Sequence, residues 1–170
     1  QALGEHSTLK SAWPGVVEGA ELIGSTQIQG RASMGGNLCN ASPAADSVPG
    51  MVAAAATVTI VGPDGDREMP VEMFCTSPGH TSLKKGEMVA FIHLPAPAPK
   101  SGDAYLRFIP RTEMDIAVVG AGISVTLDEN GKCSAARVAL GAVAERVLLV
   151  EEAANVLIGT AIDESGLEEL

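Results

Sequence analysis

Two adjacent glycines, Gly35-Gly36, lie in the stretch whose residue types are best suited to chemistry. Residues 33–49 place them among asparagines, hydroxyl residues, two prolines and one carboxylate. Glycine lacks a Cβ, so it allows a positive φ and close approach of a ligand. Successive N–H groups in such a turn can form a nest for anionic oxygens. The sequence therefore predicts an irregular, anion-binding loop, and for the glycine pair alone an ordinary tight turn remains open.

A carboxylate, Asp46, stands at the end of this loop, where a helix is expected to begin. Pro49 falls in the first turn of that helix, and an apolar run, residues 51–56, follows it. Aspartate is a favoured N-cap, and proline is tolerated in the first helical turn. We therefore predict a short buried helix over residues 46–55, capped by the Asp46 side chain.

The remaining elements predict an α+β protein of two units. A proline-rich segment, residues 95–102, is the clearest linker. The first unit is residues 1–96, the linker residues 97–102 and the second unit residues 103–170. Pro14-Gly15 is expected to kink or break the first helix. The predicted helices are 7–23, 46–55 and 147–158, and the predicted strands are 57–61, 67–71, 88–94, 104–109, 117–127 and 135–141.

Composition and charge exclude several classes of protein. The formal net charge is −10, only 3% of residues are aromatic, and the 11 Lys and Arg residues are scattered, which argues against a nucleic-acid partner. The apolar runs are too short to cross a bilayer. Three widely spaced cysteines show neither a disulfide framework nor metal-ligand spacing, which is typical of a reducing compartment. We therefore expect a cytoplasmic protein without a membrane span.

Other candidate chemistry is weak. Gly120-Ala121-Gly122 begins like a dinucleotide fingerprint, but the following residues continue as a strand, so we interpret it as a strand or bulge that contains glycine. The three histidines are isolated, and His93 is expected to be structural. We predict no catalytic nucleophile, acid–base pair or metal site.

The longer motif resembles a known signature. Residues 35–49, GGNLCNASPAADSVP, closely resemble that of the flavin-binding medium subunit of molybdenum hydroxylases, the family of xanthine dehydrogenase and aerobic carbon monoxide dehydrogenase. The variant at residues 39–43 looks more like the carbon monoxide dehydrogenase branch than the animal xanthine oxidases. Three further segments resemble the family in the same order: residues 26–29, 110–117 and 139–144.

The resemblance implies a fold and a function. The chain would be the second FAD-binding lobe, followed by a small antiparallel sheet-plus-helix C-terminal domain. It would pass electrons from iron–sulfur clusters through FAD to an acceptor, with an iron–sulfur small subunit and a molybdopterin large subunit as partners that carry those other cofactors. The flavin carries the chemistry itself, so the lack of catalytic side chains is consistent with this role.

The resemblance also implies a set of site residues. Those from Ser33 to Asn37 would follow the FAD phosphates and ribose, and Asp46 would contact the cofactor. Arg107 would bring a cation near the flavin, with a solvated strand residue as the alternative. The complete set of implied cofactor-binding residues is Ile23, Ser33, Met34, Gly35, Gly36, Asn37, Asn40, Asp46, Val89 and Arg107.

The chain also departs from the family. The first FAD-binding lobe, with its own glycine-rich phosphate loop, has no counterpart before Leu22, and the chain ends before the usual C-terminus. We therefore expect a truncated form. Two alternative functions remain open: an assembly module that binds no cofactor by itself, and a binder of small phosphorylated molecules that uses Gly35-Gly36.

Overall fold

A computed structural model describes residues 2–111 and 114–163 of the chain. The predicted first helix is broken at Trp13 into α1 (Ser7–Ala12) and α2 (Pro14–Glu21). Pro14 occupies the first position of α2, where its missing N–H leaves no hydrogen bond unmade. The predicted break is therefore confirmed.

The glycine pair lies in a helix, which corrects the predicted irregular loop. After α3 (Thr26–Gln29), helix α4 runs over Met34–Cys39 and holds Gly35 and Gly36 in right-handed helical backbone. The Ser33 hydroxyl caps it by accepting a hydrogen bond from the Gly36 N–H at 3.0 Å. Leu38, fully buried, anchors its inner face. The cap and the anchor together outweigh the helix cost of two glycines.

Helix α5 (Ser47–Ala53) is the central element, and all seven of its residues are buried. The predicted helix is confirmed in slightly shorter form. Asp46 occupies the N-cap position, but within the described chain its side chain makes no capping hydrogen bond. The predicted side-chain cap is therefore wrong, because the Asp46 carboxylate bonds to the second sheet instead.

A three-stranded antiparallel sheet follows α5. Its order is β2-β1-β5, and its buried residues include Val58 and Ile60. The predicted turn at residues 63–66 joins β1 to β2, with Gly65 at φ 107°. Along the chain, β2 is followed by a separate two-stranded ribbon of β3 and β4, and then by β5. The strands are β1 (Thr57–Val61), β2 (Arg67–Pro70), β3 (Cys75–Ser77), β4 (His80–Thr81) and β5 (Met88–His93).

The second sheet is a four-stranded antiparallel meander in the order β6-β7-β8-β9, and helix α6 packs on β8. The predicted helix at 147–158 is shorter, because Leu148 and Leu149 pair with β8. Thr112 and Glu113 of the family motif, and residues 164–170 of the second unit, lie outside the described residues. The elements are β6 (Ser101–Phe108), β7 (Val119–Leu127), β8 (Cys133–Gly141), β9 (Leu148–Leu149) and α6 (Glu151–Leu157).

Helix α5 packs directly against this second sheet. The Gly120-Ala121-Gly122 motif lies in β7, as the strand interpretation predicts. A Cβ on Gly122 would lie 2.5 Å from the carbonyl carbon and oxygen of Pro49. On β8, the Arg137 guanidinium donates to the Val52 carbonyl at 2.9 and 3.0 Å. The second sheet is therefore held directly to this central helix.

Candidate functional site

Two adjoining grooves meet at the N-terminus of α4. The first, of about 510 Å³, is bordered by Ile23 and by residues 29–30 and 32–34. The second, of about 460 Å³, is bordered by Gly35 and by residues 89–92 of β5. Leu3, Ser33 and Met34 line both. We call the second the strand groove, and the two together the paired grooves.

Unpaired backbone donors lie at the junction of the paired grooves. The Met34 and Gly35 N–H groups have no hydrogen-bond partner among the described residues, whereas the next amides of α4 bond to Ser33. No atom of the described chain lies within 4 Å of a Cβ built on Gly35. First-turn amides carry partial positive charge. The junction therefore suits an anionic group, such as a pyrophosphate, without a lysine or arginine.

Half of the predicted cofactor-binding residues lie together at these grooves. They are Ile23, Ser33, Met34, Gly35 and Val89. Three other predicted residues, Gly36, Asn37 and Asn40, do not line either groove. The Gly36 N–H donates to the capping Ser33 hydroxyl, and Asn40 is the exposed C-cap residue of α4. The Asn37 side-chain oxygen accepts from the Ser47 hydroxyl at 2.6 Å, which joins α4 to α5.

Asp46 and Arg107 form a buried ion pair away from the paired grooves. Their oxygen–nitrogen distance is 2.9 Å, and their side chains are 11% and 8% exposed. The Tyr105 hydroxyl donates to the other Asp46 oxygen at 2.9 Å. Arg107 is therefore not a solvated strand residue, and both Asp46 oxygens are already bonded within the protein.

The electrostatics of this pair follow from its burial. Burial raises the pKa of the Asp46 carboxyl, and the hydrogen bond from Tyr105 and the Arg107 charge oppose that shift. Burial, with the nearby carboxylate, raises the pKa of Tyr105 well above its usual range, so its hydroxyl remains a donor. Arg107 also donates to the Leu22 carbonyl at 3.1 Å and borders a third groove of about 470 Å³. The pair therefore fixes the segment that leads into Ile23.

A second carboxylate, Asp103, joins β6 to the N-terminus of α2. It accepts from the Gly15 N–H at 2.9 Å, while its other oxygen is buried and unpaired among the described residues. Burial raises the pKa of Asp103 to about 6; the Gly15 hydrogen bond lowers it and the Glu18 charge raises it further. Asp103, Tyr105 and Arg107 alternate along β6, so their side chains share one face of the strand. The sequence analysis missed Asp103 and Tyr105, and this alternation of polar side chains is the signal that could have indicated them.

The raised pKa of Asp103 predicts a specific pH dependence. The folded state holds the Asp103 proton more tightly than the unfolded state, so this residue lowers stability as pH rises from about 4 to about 6. We expect Asp103→Asn to remove that loss while keeping the acceptor for Gly15. Urea unfolding at several pH values measures this: relative to wild type, the variant should gain stability between pH 4 and 7. A difference in unfolding free energy between Asp103→Asn and wild type that stays the same at every pH would contradict the raised pKa of Asp103.

The cysteines and the possible metal ligands of the described residues are the remaining candidates for chemistry. Burial raises the pKa of the Cys39 and Cys133 thiols, and raises that of Cys75 to about 11, so all three remain protonated at neutral pH. Over the described ranges, no three His, Cys, Asp or Glu side chains are grouped to hold a metal ion. In that same part of the chain, no helix has the length and apolar character to cross a membrane.

Family models match both parts of the chain. Residues 1–97 match the model described as FAD binding domain in molybdopterin dehydrogenase. Residues 104–170 match the model described as CO dehydrogenase flavoprotein C-terminal domain. The chain therefore belongs to the FAD-binding flavoprotein family of molybdopterin dehydrogenases. The predicted family and α+β fold are confirmed.

Individual relatives agree with this assignment. The xanthine dehydrogenase FAD-binding subunit of Escherichia coli O157:H7 is 35% identical over 142 residues, which are 82% of this chain and 48% of that protein. The carbon monoxide dehydrogenase medium chain of Afipia carboxidovorans is 32% identical over 161 residues, 95% of this chain and 55% of that protein. The chain thus spans about half the length of the curated relatives it matches.

A solved structure matches the fold closely. The cyanide-inactivated form of Cu,Mo-CO dehydrogenase superposes with a TM-score of 0.90 at 32% sequence identity. The match covers 99% of this chain and 58% of that one. The fold is therefore that of a chain in a solved CO dehydrogenase structure.

Proposed function

We propose that this chain is the second FAD-binding lobe and the C-terminal domain of an electron-transferring subunit of a molybdenum hydroxylase. The observation that carries the proposal is the pair of unpaired amides, Met34 and Gly35, within the segment that matches an FAD-binding family model. The division into residues 1–96, a linker at 97–102 and residues 103–170 is part of this proposal.

The residues present fit an elongated dinucleotide. The Met34 and Gly35 amides hold the pyrophosphate oxygens at the junction, and the Ser33 cap keeps those amides oriented. Ile23 and Val89 supply apolar walls on either side. Asn37 fixes α4 on α5. When bound, FAD supplies the redox chemistry, and the protein supplies position and electrostatics.

The Asp46–Arg107 pair has a positioning role in this proposal. It holds the Leu22 carbonyl and so fixes the segment before Ile23. The Gly36 N–H donates to the Ser33 hydroxyl that caps α4. The Asn40 backbone N–H donates to the Gly36 carbonyl and so closes the last turn of α4. Each of the ten site residues therefore either borders the cofactor or holds an element that does.

The assembly is part of the proposal. Relatives are described as a medium chain and as a subunit of a dehydrogenase complex. We propose an iron–sulfur small subunit and a molybdopterin large subunit as partners, with electrons passing from the clusters to FAD and on to an acceptor. The cysteine pattern supports a cytoplasmic location.

Retention of flavin tests the proposal. The purified chain is incubated with FAD and desalted, and its visible absorption is recorded. We expect wild type to retain the flavin band and Gly35→Val to lose it at unchanged thermal stability, because a side chain there extends into the groove without a clash.

A matched variant controls for the substitution itself. Gly102→Val also adds a side chain in open space, on β6, and should retain flavin as wild type does. Retention of flavin by Gly35→Val would contradict the proposal that FAD binds in the paired grooves. A folded wild type stabilised by pyrophosphate or ADP, but unable to bind FAD, would instead favour a binder of small phosphorylated molecules.

A further inference from the structure

One face of the second sheet is apolar and open to water. A Cβ on Gly122 of β7 would point at α5, so the residues on either side of it point to the opposite face of the sheet. The register of β6 and β7 places four residues of each strand on that opposite face. We call these eight residues the outer face: Gly102, Ala104, Leu106, Phe108, Val119, Ala121, Ile123 and Val125. None of the eight has a polar side chain.

The outer face exposes large side chains. Leu106 is 75% exposed, Phe108 62% and Ile123 36%. A side chain of this size has roughly 200 Å² of surface, so these three leave on the order of 300 Å² of apolar area open. Contiguous apolar patches of this size or larger mark sites of interaction. The outer face is therefore a candidate docking surface.

The free edge of β6 is covered by helix α2. The Tyr105 N–H donates to the Glu18 carboxylate at 2.8 Å, and Asp103 accepts from the Gly15 N–H at 2.9 Å. An added strand would have to pair with this edge, and α2 lies in its place. A partner must therefore pack on the outer face and cannot extend the sheet.

The order of residue sizes along β6 suits a second copy of this chain. Gly102 and Ala104 are small and lie toward one end of the strand, whereas Leu106 and Phe108 lie toward the other end. No atom of the described chain lies within 4 Å of a Cβ built on Gly102, so the small end is open. A two-fold rotation reverses the strand and brings the large end of each copy over the small end of the other.

We propose that the outer face binds the outer face of a second copy, with the two sheets stacked about 10 Å apart. Leu106 of each copy packs over Ala104 of the other, and Phe108 packs over Gly102. Each outer face offers on the order of 500 Å², less than the roughly 800 Å² per partner of a standard interface. The dimer is therefore weak and forms at high protein concentration.

The charge of the chain gives this dimer a specific dependence on salt. The formal net charge of −10 on each copy opposes association, while the outer face itself carries no charged side chain. Salt screens the repulsion between the copies and leaves the apolar contact intact. We therefore expect the dimer to become tighter as ionic strength rises.

Sedimentation velocity tests the dimer with variants at two exposed positions. We expect wild type to show a reversible monomer–dimer equilibrium between about 1 μM and about 1 mM. Leu106→Gln should weaken it roughly tenfold or more, because the dimer would bury an amide without a partner. Phe91→Gln changes a side chain that is 63% exposed on β5 of the other sheet, and it should dimerise as wild type does. Circular dichroism checks that each variant is folded.

An isotope-filtered NMR experiment tests the two-fold arrangement. In an equal mixture of ¹³C-labelled and unlabelled chain, we expect contacts between the Leu106 methyl groups of one copy and the Ala104 methyl group of the other. A dimer without these contacts, or one that Leu106→Gln leaves unchanged, would overturn the proposal. So would a chain that stays monomeric up to about 1 mM, which would leave the outer face to a different protein partner. Growth into larger species in place of a closed dimer would also overturn it.

Discussion

Replacement of Asp46 by alanine is expected to lower the free energy of unfolding by about 3–5 kcal/mol. The change leaves the Arg107 guanidinium buried, at 8% side-chain exposure, without its counter-charge. It also removes the acceptor of the Tyr105 hydroxyl. Breaking one partner of a buried ion pair costs far more than the pair contributes as a whole, because the remaining charge is not solvated. Urea unfolding at neutral pH measures the difference.

An exposed pair provides the control for this prediction. Lys100 and Glu129 lie 3.1 Å apart, with side chains that are 48% and 93% exposed. Glu129→Ala should change stability little, because water screens such a pair. If Asp46→Ala were no more destabilising than Glu129→Ala, the Asp46–Arg107 pair would not be holding β6 to α5.

Replacement of Gly122 by alanine is the second large effect, a loss of about 3 kcal/mol. The added Cβ would lie 2.5 Å from the Pro49 carbonyl group and 2.9 Å from the Gly50 nitrogen, and all of these are backbone atoms. All seven residues of α5 are buried, and Met51 shares one hydrophobic core cluster with Val58 and Ile60 of the first sheet, so α5 cannot move away from β7 without disturbing the core. Thermal unfolding followed by circular dichroism measures the loss.

Gly102→Ala is the matched substitution on the neighbouring strand, β6. No described atom lies within 4 Å of a Cβ there, so we expect stability close to that of wild type. Equal behaviour of Gly122→Ala and Gly102→Ala would mean that the contact between β7 and α5 is looser than the distances imply.

Local rules in the sequence were sufficient for several elements. Pro14 predicted the break between α1 and α2, because proline fits the first turn of a helix and not its interior. Residues 63–66 predicted the turn between β1 and β2, where Gly65 supplies the positive φ. The run after Gly120 predicted a strand, although only the structure identifies Pro49 as the reason for glycine at position 122.

Contacts that the local rules did not take into account decided two elements. Gly35-Gly36 indicated an irregular loop, but the Ser33 cap and the burial of Leu38 stabilise a helix there. Asp46 was predicted to cap α5, yet its partner, Arg107, lies 61 residues further along the chain. A capping rule considers only neighbours in sequence, and a buried cation is a stronger partner for a carboxylate than a helix amide.

The most direct test of the account is an amide NMR titration of the ¹⁵N-labelled chain with FAD. We expect the largest chemical-shift changes at the Met34 and Gly35 amides, smaller ones along residues 89–92, and none at Gly102. A folded protein whose Met34 and Gly35 signals do not move at saturating FAD would contradict the proposed pyrophosphate site.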